Sequence, residues 1–390
     1  MRGRPERGGE LRRVTSELDL LILGPVPPPF GGVAVHIHRL VPLLQKAGLE
    51  VGVLNHFTST EASFVIGALK RSPLNYFRLP KKVAARIVHY HHSHWLALLA
   101  VVLGKRRRSS YIITLHSGGL ARHLRSNVPL RKWMTQWALN SFDLIIVVNQ
   151  EIRAAVEPYV DARRIEVVPA FVSATHEGAR PDLGSGRFLA SGRTLLVAAY
   201  RLRVRKDGGE PYGLDTAVEA FVTLAHEQSQ LKLAFFIAER PAGRKAKHYL
   251  SSLNTRLEQA GLADRVLTVF GRPLVSAFGH DVILVRPTRS DGDSLSVREA
   301  LQAGVPVIAS DVVQRPSGTI TFPHDDVHAL CEAVRKVLDE ATERSQPSAR
   351  GMDDVASDAI LAHLIRIYRG QLVEAEGATP RTSSRTDSSG

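Results

Sequence analysis

Three hundred and ninety residues exceed what one hydrophobic core usually covers, which points to two domains of about 150 to 200 residues each. A composition of 44% hydrophobic and 23% charged residues excludes a disordered or fibrous chain. The net charge of +13 lies wholly in the first half: residues 1–180 hold 25 Lys/Arg against 12 Asp/Glu, and the rest is balanced at 26 each. Within that half, residues 51–150 hold 14 Lys/Arg and two acids, Glu61 and Asp143, so the two halves are expected to meet different partners.

Residues 1–17 carry charge without an apolar run and are expected to be disordered. The run LDLLILG at 18–24 reads as a buried strand; Gly24 and Pro25 break it and no small-residue cleavage site follows, so it is a poor signal peptide. A helix is expected from Gly32, where Val33, Ile37, Leu40 and Leu44 advance by 4, 3 and 4, with Pro42 bending or shortening it. Further strands are LEVGVLN, ARIVHYH, SYIITLH, DLIIVVN and RIEVVPA. WLALLAVVL at 95–103 is about half the length of a membrane span. These signals place the chain in the cytoplasm, or peripherally on the cytoplasmic face of a membrane.

Residues 173–193 combine Gly, Ser, Pro and charge without periodicity and read as a linker. Beyond it TLLVAAY, LKLAFFIAE, VLTVFGR, DVILVRP, VPVIASD and TITFP read as strands, with helices near 214–229, 245–260, 294–304 and 326–340. The alternation in both halves predicts an α/β chain of two Rossmann-like domains with parallel sheets facing a central cleft, over 18–172 and 194–353. A helix at 354–375, with Leu361, Leu364, Ile365, Tyr368 and Leu372 on one face, is expected to pack across the domains, and 376–390 to be a disordered tail. Cys331 stands alone at helical spacing among Val327, Leu330, Val334 and Leu338, and reads as a core thiol in a reducing compartment.

The segment DVILVRPTRSDGDSLSVREALQAGVPVIASD places a polar loop and a helix start after a buried strand. Unpaired backbone N–H groups there form a ready anion site. Asp291 lies in the loop and Glu299 about five residues into the helix, so one carboxylate can hold hydroxyls at each end of a pyrophosphate-bridged ligand. The bland alternative is that Asp293 or Ser294 caps the helix and Glu299 is solvated. HYHHSHW at 89–95 invites a metal reading, but zinc ligands are usually set by a turn or a helix face. KRRR at 105–108 and RKWMTQW at 131–137 invite a nucleic-acid reading, yet no nucleic-acid module accompanies them and the aromatics fall at the spacing of a packed helix face.

Asp291-x7-Glu299 followed by Gly304, Pro306, Val307 and Ile308 resembles the Glu-x7-Glu donor signature of retaining glycosyltransferases of family 4, which have the GT-B fold; the form DGDSLSVREAL is especially similar to bacterial members that build surface polysaccharides. The first carboxylate departs from the pattern by one methylene, which makes Asp293 a substitute to consider. The resemblance covers roughly residues 18–340. It implies that Gly31 and Gly32 approach donor phosphates and acceptor, that Arg201 and Lys206 grip the diphosphate, and that His116 faces donor sugar and acceptor. Leu295 and Ser296 would supply backbone N–H groups, Asp291 or Asp293 would hold the sugar, and Glu299 the ribose. Tyr200 stands where the family has glycine, and GGEPY is inserted before Gly213.

The resemblance further implies a nucleotide-diphosphate-sugar donor, a glycan or lipid-linked acceptor, no required cofactor and no metal. The rival readings are a non-catalytic GT-B partner of another transferase and a nucleotide-sugar epimerase. The excess cations of the first half add the expectation of weak, salt-sensitive association with an anionic membrane surface.

Overall fold

The structure, a computed structural model, describes residues 17–56, 62–69, 72–78, 83–91, 94–170, 183–205, 209–343 and 352–377. The disorder expected before residue 17 and after 377, most of the expected linker, His92 and Lys206 lie outside the described residues. The chain forms two compact units: the first holds residues up to Pro25, 41–168 and from Leu361 on, the second 26–40 and 169–360.

In chain order the elements begin with β1 (Leu18–Gly24), α1 (Gly32–Lys46), β2 (Val51–Asn55), β3 (Val65–Ala68), α2 (Pro73–Arg78), β4 (Ala85–Tyr90) and α3 (Trp95–Leu103). They continue with β5 (Ser110–Leu115), α4 (Gly119–Leu124), α5 (Pro129–Asn140), β6 (Leu144–Val147), α6 (Gln150–Val156) and β7 (Ile165–Val167). The first sheet has the order β3-β2-β1-β4-β5-β6-β7, with parallel pairing throughout. A strand covered on both faces must be apolar on both, which is why β1 reads as a run of leucines and isoleucine rather than as an alternation. The polar exception, Asp19, accepts from Arg86 Nη1 at 3.2 Å and from the Glu50 amide at 3.0 Å. Helix α1 runs through Pro42 to Lys46, so the proline does not end it.

The second half comprises α7 (Leu183–Ala190), β8 (Thr194–Ala199), α8 (Leu214–Glu227), β9 (Lys232–Ile237), α9 (Arg244–Gln259), β10 (Val266–Phe270), β11 (Val282–Arg286) and α10 (Leu295–Gln302). After these come β12 (Val307–Ser310), β13 (Thr319–Phe322), α11 (Val327–Glu343) and α12 (Met352–Gly377). Its sheet runs β10-β9-β8-β11-β12-β13, again all parallel. Leu195, Val197 and Phe235 face one core with residues of α8, α9 and α11; Leu196, Ala234, Phe236 and Leu284 face the other with Val297 and Ala300 of α10. Cys331 belongs to the first of these cores, its Sγ 3.7 Å from the Ala220 carbonyl oxygen, and burial pushes the thiol pKa up.

Three readings change. Strand β3 and helix α2 are too short to show periodicity. Residues 183–190, read as linker, are helical, and Leu189 packs into the second core. Trp133 and Trp137 do recur on one helix face, but that face is open: they are 63% and 40% exposed, and α5 buries Thr135, Ala138 and Leu139 instead. From Leu361 on, α12 belongs to the first unit. Buried Tyr368 meets His89 Nδ1 at 2.8 Å, and Arg86 Nη2 donates to the Leu372 carbonyl at 3.3 Å.

Candidate active site

In the second unit β8 and β11 are adjacent parallel strands, so the segments leaving their carboxyl ends lie side by side. Gly213, the residue before α8, fixes their spacing. It has φ +68°, and a Cβ there would stand 1.9 Å from the Pro287 carbonyl oxygen, so only glycine fits. Arg289 completes the junction, donating to Asp215 at 2.9 and 3.0 Å, to Asp325 at 2.6 Å and to the Glu210 carbonyl at 2.9 Å.

The loop after β11 is built around Asp291. Its carboxylate accepts from Arg286 Nε and Nη2 at 3.1 and 3.0 Å, from Arg315 Nη1 at 2.9 Å and from the Gly292 amide at 3.1 Å. Burial alone would push this carboxyl up; the two guanidiniums outweigh it and hold the pKa below the usual carboxylate range. Asp293 has a weaker counter-charge. It accepts from Arg298 Nε at 2.7 Å and the Ala170 amide at 3.1 Å, and burial leaves its pKa raised. Neither Asp293 nor Ser294 caps α10 in the ordinary way: Ser294 makes no side-chain cap, and its Oγ lies 3.1 Å from Ser296 Oγ. Leu295 and Ser296 stand in the first turn of α10, where backbone N–H groups have no partner within the helix. Glu299, buried one turn on, pairs with Arg39 Nη1 at 2.5 Å.

Arg201, just past β8, is gripped by Glu239 just past β9. The pair is bidentate, through Nε and Nη2, which leaves Nη1 for another acceptor. Tyr200 lies against Gly31, where a Cβ would come within 2.6 Å of the ring; Gly32 has open space around its Cα. The glycine missing at 200 is thus matched by one at 31. The inserted Glu210 is fully buried, its Oε2 accepting from the Tyr212 amide at 2.8 Å, and burial pushes its pKa up to about 7.

Two family models match this chain: the one described as Glycosyltransferase Family 4 over residues 30–176, and Glycosyl transferases group 1 over residues 204–340. The chain is a family 4-type member of the GT-B glycosyltransferases. The lipopolysaccharide core biosynthesis mannosyltransferase LpsB of Rhizobium meliloti is 32% identical over 124 residues, which cover 28% of this chain and 35% of LpsB. The chain therefore matches about a third of that relative's length. Among solved structures, sucrose-phosphate synthase from Thermosynechococcus elongatus superposes with a TM-score of 0.66 at 18% identity, covering 92% of this chain and 99% of that one. Anabaena HepE in complex with UDP-glucose gives 0.64 at 12% identity, covering 92% and 100%. At these identities the likeness establishes the GT-B fold and nothing finer.

Of the residues expected at a GT-B donor site, Gly31, Gly32, Arg201, Asp291, Asp293, Leu295, Ser296 and Glu299 all belong to the second unit. His116 belongs to the first, at the carboxyl end of β5, with its Nε2 2.9 Å from His91 Nδ1 and the two rings stacked. His91 in turn lies 4.1 Å, ring to ring, from His89, which also meets Tyr368 and Thr114. Of the HYHHSHW run, His89 and His91 are thus hydrogen-bonded side chains at a strand end. Among the described residues no group of three or more His, Cys, Asp or Glu is placed to hold a metal ion. Arg203 and Arg205 are exposed. Sequence reasoning missed the partners: Glu239, Arg286, Arg315, Arg39 and His91. Glu239 had a usable signal, since it lies two residues past the end of β9 as Arg201 lies two past the end of β8.

Proposed function

We propose that the protein transfers a sugar from a nucleoside-diphosphate sugar to a hydroxyl of a glycan or lipid-linked acceptor, with retention at the anomeric carbon, in cell-surface polysaccharide or glycoconjugate synthesis. The observation that carries this reading is the junction after β11, where the open first turn of α10 stands with a buried carboxylate, Glu299, one turn behind it. UDP-glucose bound to HepE and the mannosyltransferase activity named for LpsB support the donor class.

In this reaction the bond from the anomeric carbon to the diphosphate oxygen breaks, a bond to the acceptor oxygen forms on the same face, and the acceptor proton passes to the departing phosphate. Negative charge therefore grows on the diphosphate, and fixed donors aimed at it favour the transition state over the ground state. Arg201 Nη1, Lys206 and the amides of Leu295 and Ser296 are the donors assigned here. A cation at about 4 Å in a partly screened site contributes ~4 kcal/mol, against ~0.3 to 1 kcal/mol for a helix terminus. The cations are the larger part of the clamp. Glu299 holds the ribose after giving up Arg39. With both its oxygens engaged by Arg286 and Arg315, Asp291 holds the loop in shape, and the Gly292 and Asp293 region meets the sugar. His116, steadied by His91, faces donor sugar and acceptor.

The test is a panel of nucleoside-diphosphate sugars scored by thermal shift and by release of nucleotide, followed by NMR assignment of the anomeric configuration of any product. A binding donor at 100 times its Kd stabilises by ~2.7 kcal/mol. Glu299→Ala should abolish that shift. Donor binding and turnover that survive Glu299→Ala would sink the assignment. One observation favours a second reading, a non-catalytic GT-B partner of another transferase: the carboxylates of both Asp291 and Glu299 are engaged by arginines. Nucleotide binding without release of sugar in the presence of any acceptor would support it.

A further inference from the structure

The chain has three tryptophans, and all of them, Trp95, Trp133 and Trp137, lie on α3 and α5 of the first unit. The two helices pack side by side, and the Arg131 guanidinium sits 5.6 Å over the Trp95 ring. Leu130, Trp133 and Trp137 follow one another at i, i+3 and i+7, which places them within about 60° of helix surface. Leu130 is 65% exposed and Trp133 63%. A core-forming helix would bury such a stripe.

Along the chain around it the charge has one sign as far as Asp143, which pairs with Lys105 at 3.1 Å. Between Glu61 and Asp143 the sequence has no acidic residue, and Arg107, Arg108, Arg125 and Lys132 are all exposed. We propose that the α3–α5 face is an interfacial docking surface that lies in the headgroup region of an anionic bilayer. Indole rings favour the boundary between hydrocarbon and headgroup. Surrounding Lys and Arg are drawn to anionic lipid, and a helix with an apolar stripe beside cations lies in the plane of that boundary. Among the described residues no helix is long and apolar enough to cross a membrane, so the contact is with one leaflet. Exposed Leu130, on the helix face of Trp133 and Trp137, and exposed Leu103 at the end of α3 match acyl chains better than stacked bases. A second copy of the same face is disfavoured because it would bring cations against cations. The inference does not depend on the donor or acceptor proposed above.

The tryptophans make the test direct, because all of the protein's tryptophan emission comes from α3 and α5. Full-length protein mixed with phosphatidylcholine vesicles containing about 30% phosphatidylglycerol should show a blue-shifted emission that brominated acyl chains quench. Raising NaCl from about 50 to about 500 mM should weaken the shift, and pure phosphatidylcholine should not produce it. In flotation, the Trp133→Ser/Trp137→Ser double variant should bind the anionic vesicles about tenfold more weakly, with an unchanged circular dichroism spectrum and melting temperature because both side chains are exposed. The proposal is overturned if anionic vesicles leave the emission unshifted, if the double variant floats like the parent, or if neutral vesicles bind equally well. It is also overturned if the blue shift develops on concentrating the protein alone, which would identify a second copy as the occupant, or if single-stranded oligonucleotide competes the vesicles off.

Discussion

Between Glu61 and Asp143 the first unit carries fourteen Lys/Arg and no acid, whereas in the second unit Arg201, Arg256, Arg286, Arg289, Arg298, Arg315 and Arg335 each meet a carboxylate within 3.1 Å. The same residue type does two kinds of work. In the second unit arginine is a structural ligand: Arg201, Arg286, Arg289, Arg298 and Arg315 fix segments at the carboxyl ends of β8 and β11, and Arg256 and Arg335 tie helices to α8. In the first, several cations stand on the surface and act on whatever approaches. The difference teaches that the +13 net charge comes from one region, while the charge that shapes the donor-side loops sums to little.

The sharpest way to break that comparison is Asp291→Ala. It would leave Arg286 and Arg315 buried without their shared counter-charge, a loss of about 3–5 kcal/mol. At about 2–4 °C per kcal/mol for a unit of this size, the melting temperature should fall by at least about 6 °C. A variant that melts like the parent yet no longer binds nucleotide sugar would show instead that Asp291 is a ligand rather than a brace.

Close packing is the second mark of the donor-side region. Gly31→Ala should cost about 1–3 kcal/mol by overpacking against Tyr200, and Tyr200→Ala should remove most of that cost in the double variant. A coupling near zero between the two, measured by denaturant unfolding, would mean the ring simply moves aside.

Much of the architecture was legible because a parallel sheet writes itself as apolar runs: each of the twelve strands read from sequence appears, and among the described residues only four-residue β3 escapes. The carboxylate-bearing junction after β11 was legible too, since Asp291 and Glu299 are fixed by a loop and a helix start within one segment. Their partners were not. Arg315 lies 24 residues from Asp291, and Arg39 lies 260 from Glu299; such pairs depend on which strands and helices become neighbours, and local periodicity does not encode that. Trp133 and Trp137 show the converse limit: spacing reveals that they share a helix face, but not whether anything covers it.

Glu210 offers a pH test of the buried region. Its pKa is pushed up by burial to about 7 from the ordinary value of 4.5, so between those values the folded state binds more protons than the unfolded one. Stability from this group is present below about pH 4.5 and is lost as pH rises through about 7. His36 slopes the other way, since burial lowers its pKa to about 4 from 6.5 and its contribution is lost as pH falls. The difference between parent and Glu210→Gln isolates the glutamate. The variant should gain about 1–3 kcal/mol relative to the parent between pH 5 and 8. A flat difference across that range would mean that the carboxyl ionises at its ordinary value.

The smallest effect should come from the first unit. Arg107 and Arg108 are exposed in the turn after α3, in the run of four cations at 105–108, of which Lys105 pairs with Asp143 at 3.1 Å. Replacing both by Gln should change unfolding stability by no more than about 0.5 kcal/mol, and relief of like-charge repulsion makes a slight gain the expected sign. Denaturant unfolding at low and high salt measures this, because any gain from removed repulsion should shrink as salt screens the parent. A loss as large as that of Asp291→Ala would mean that these arginines, too, are braces. The division between structural and outward-acting cations would then not follow the boundary between the units.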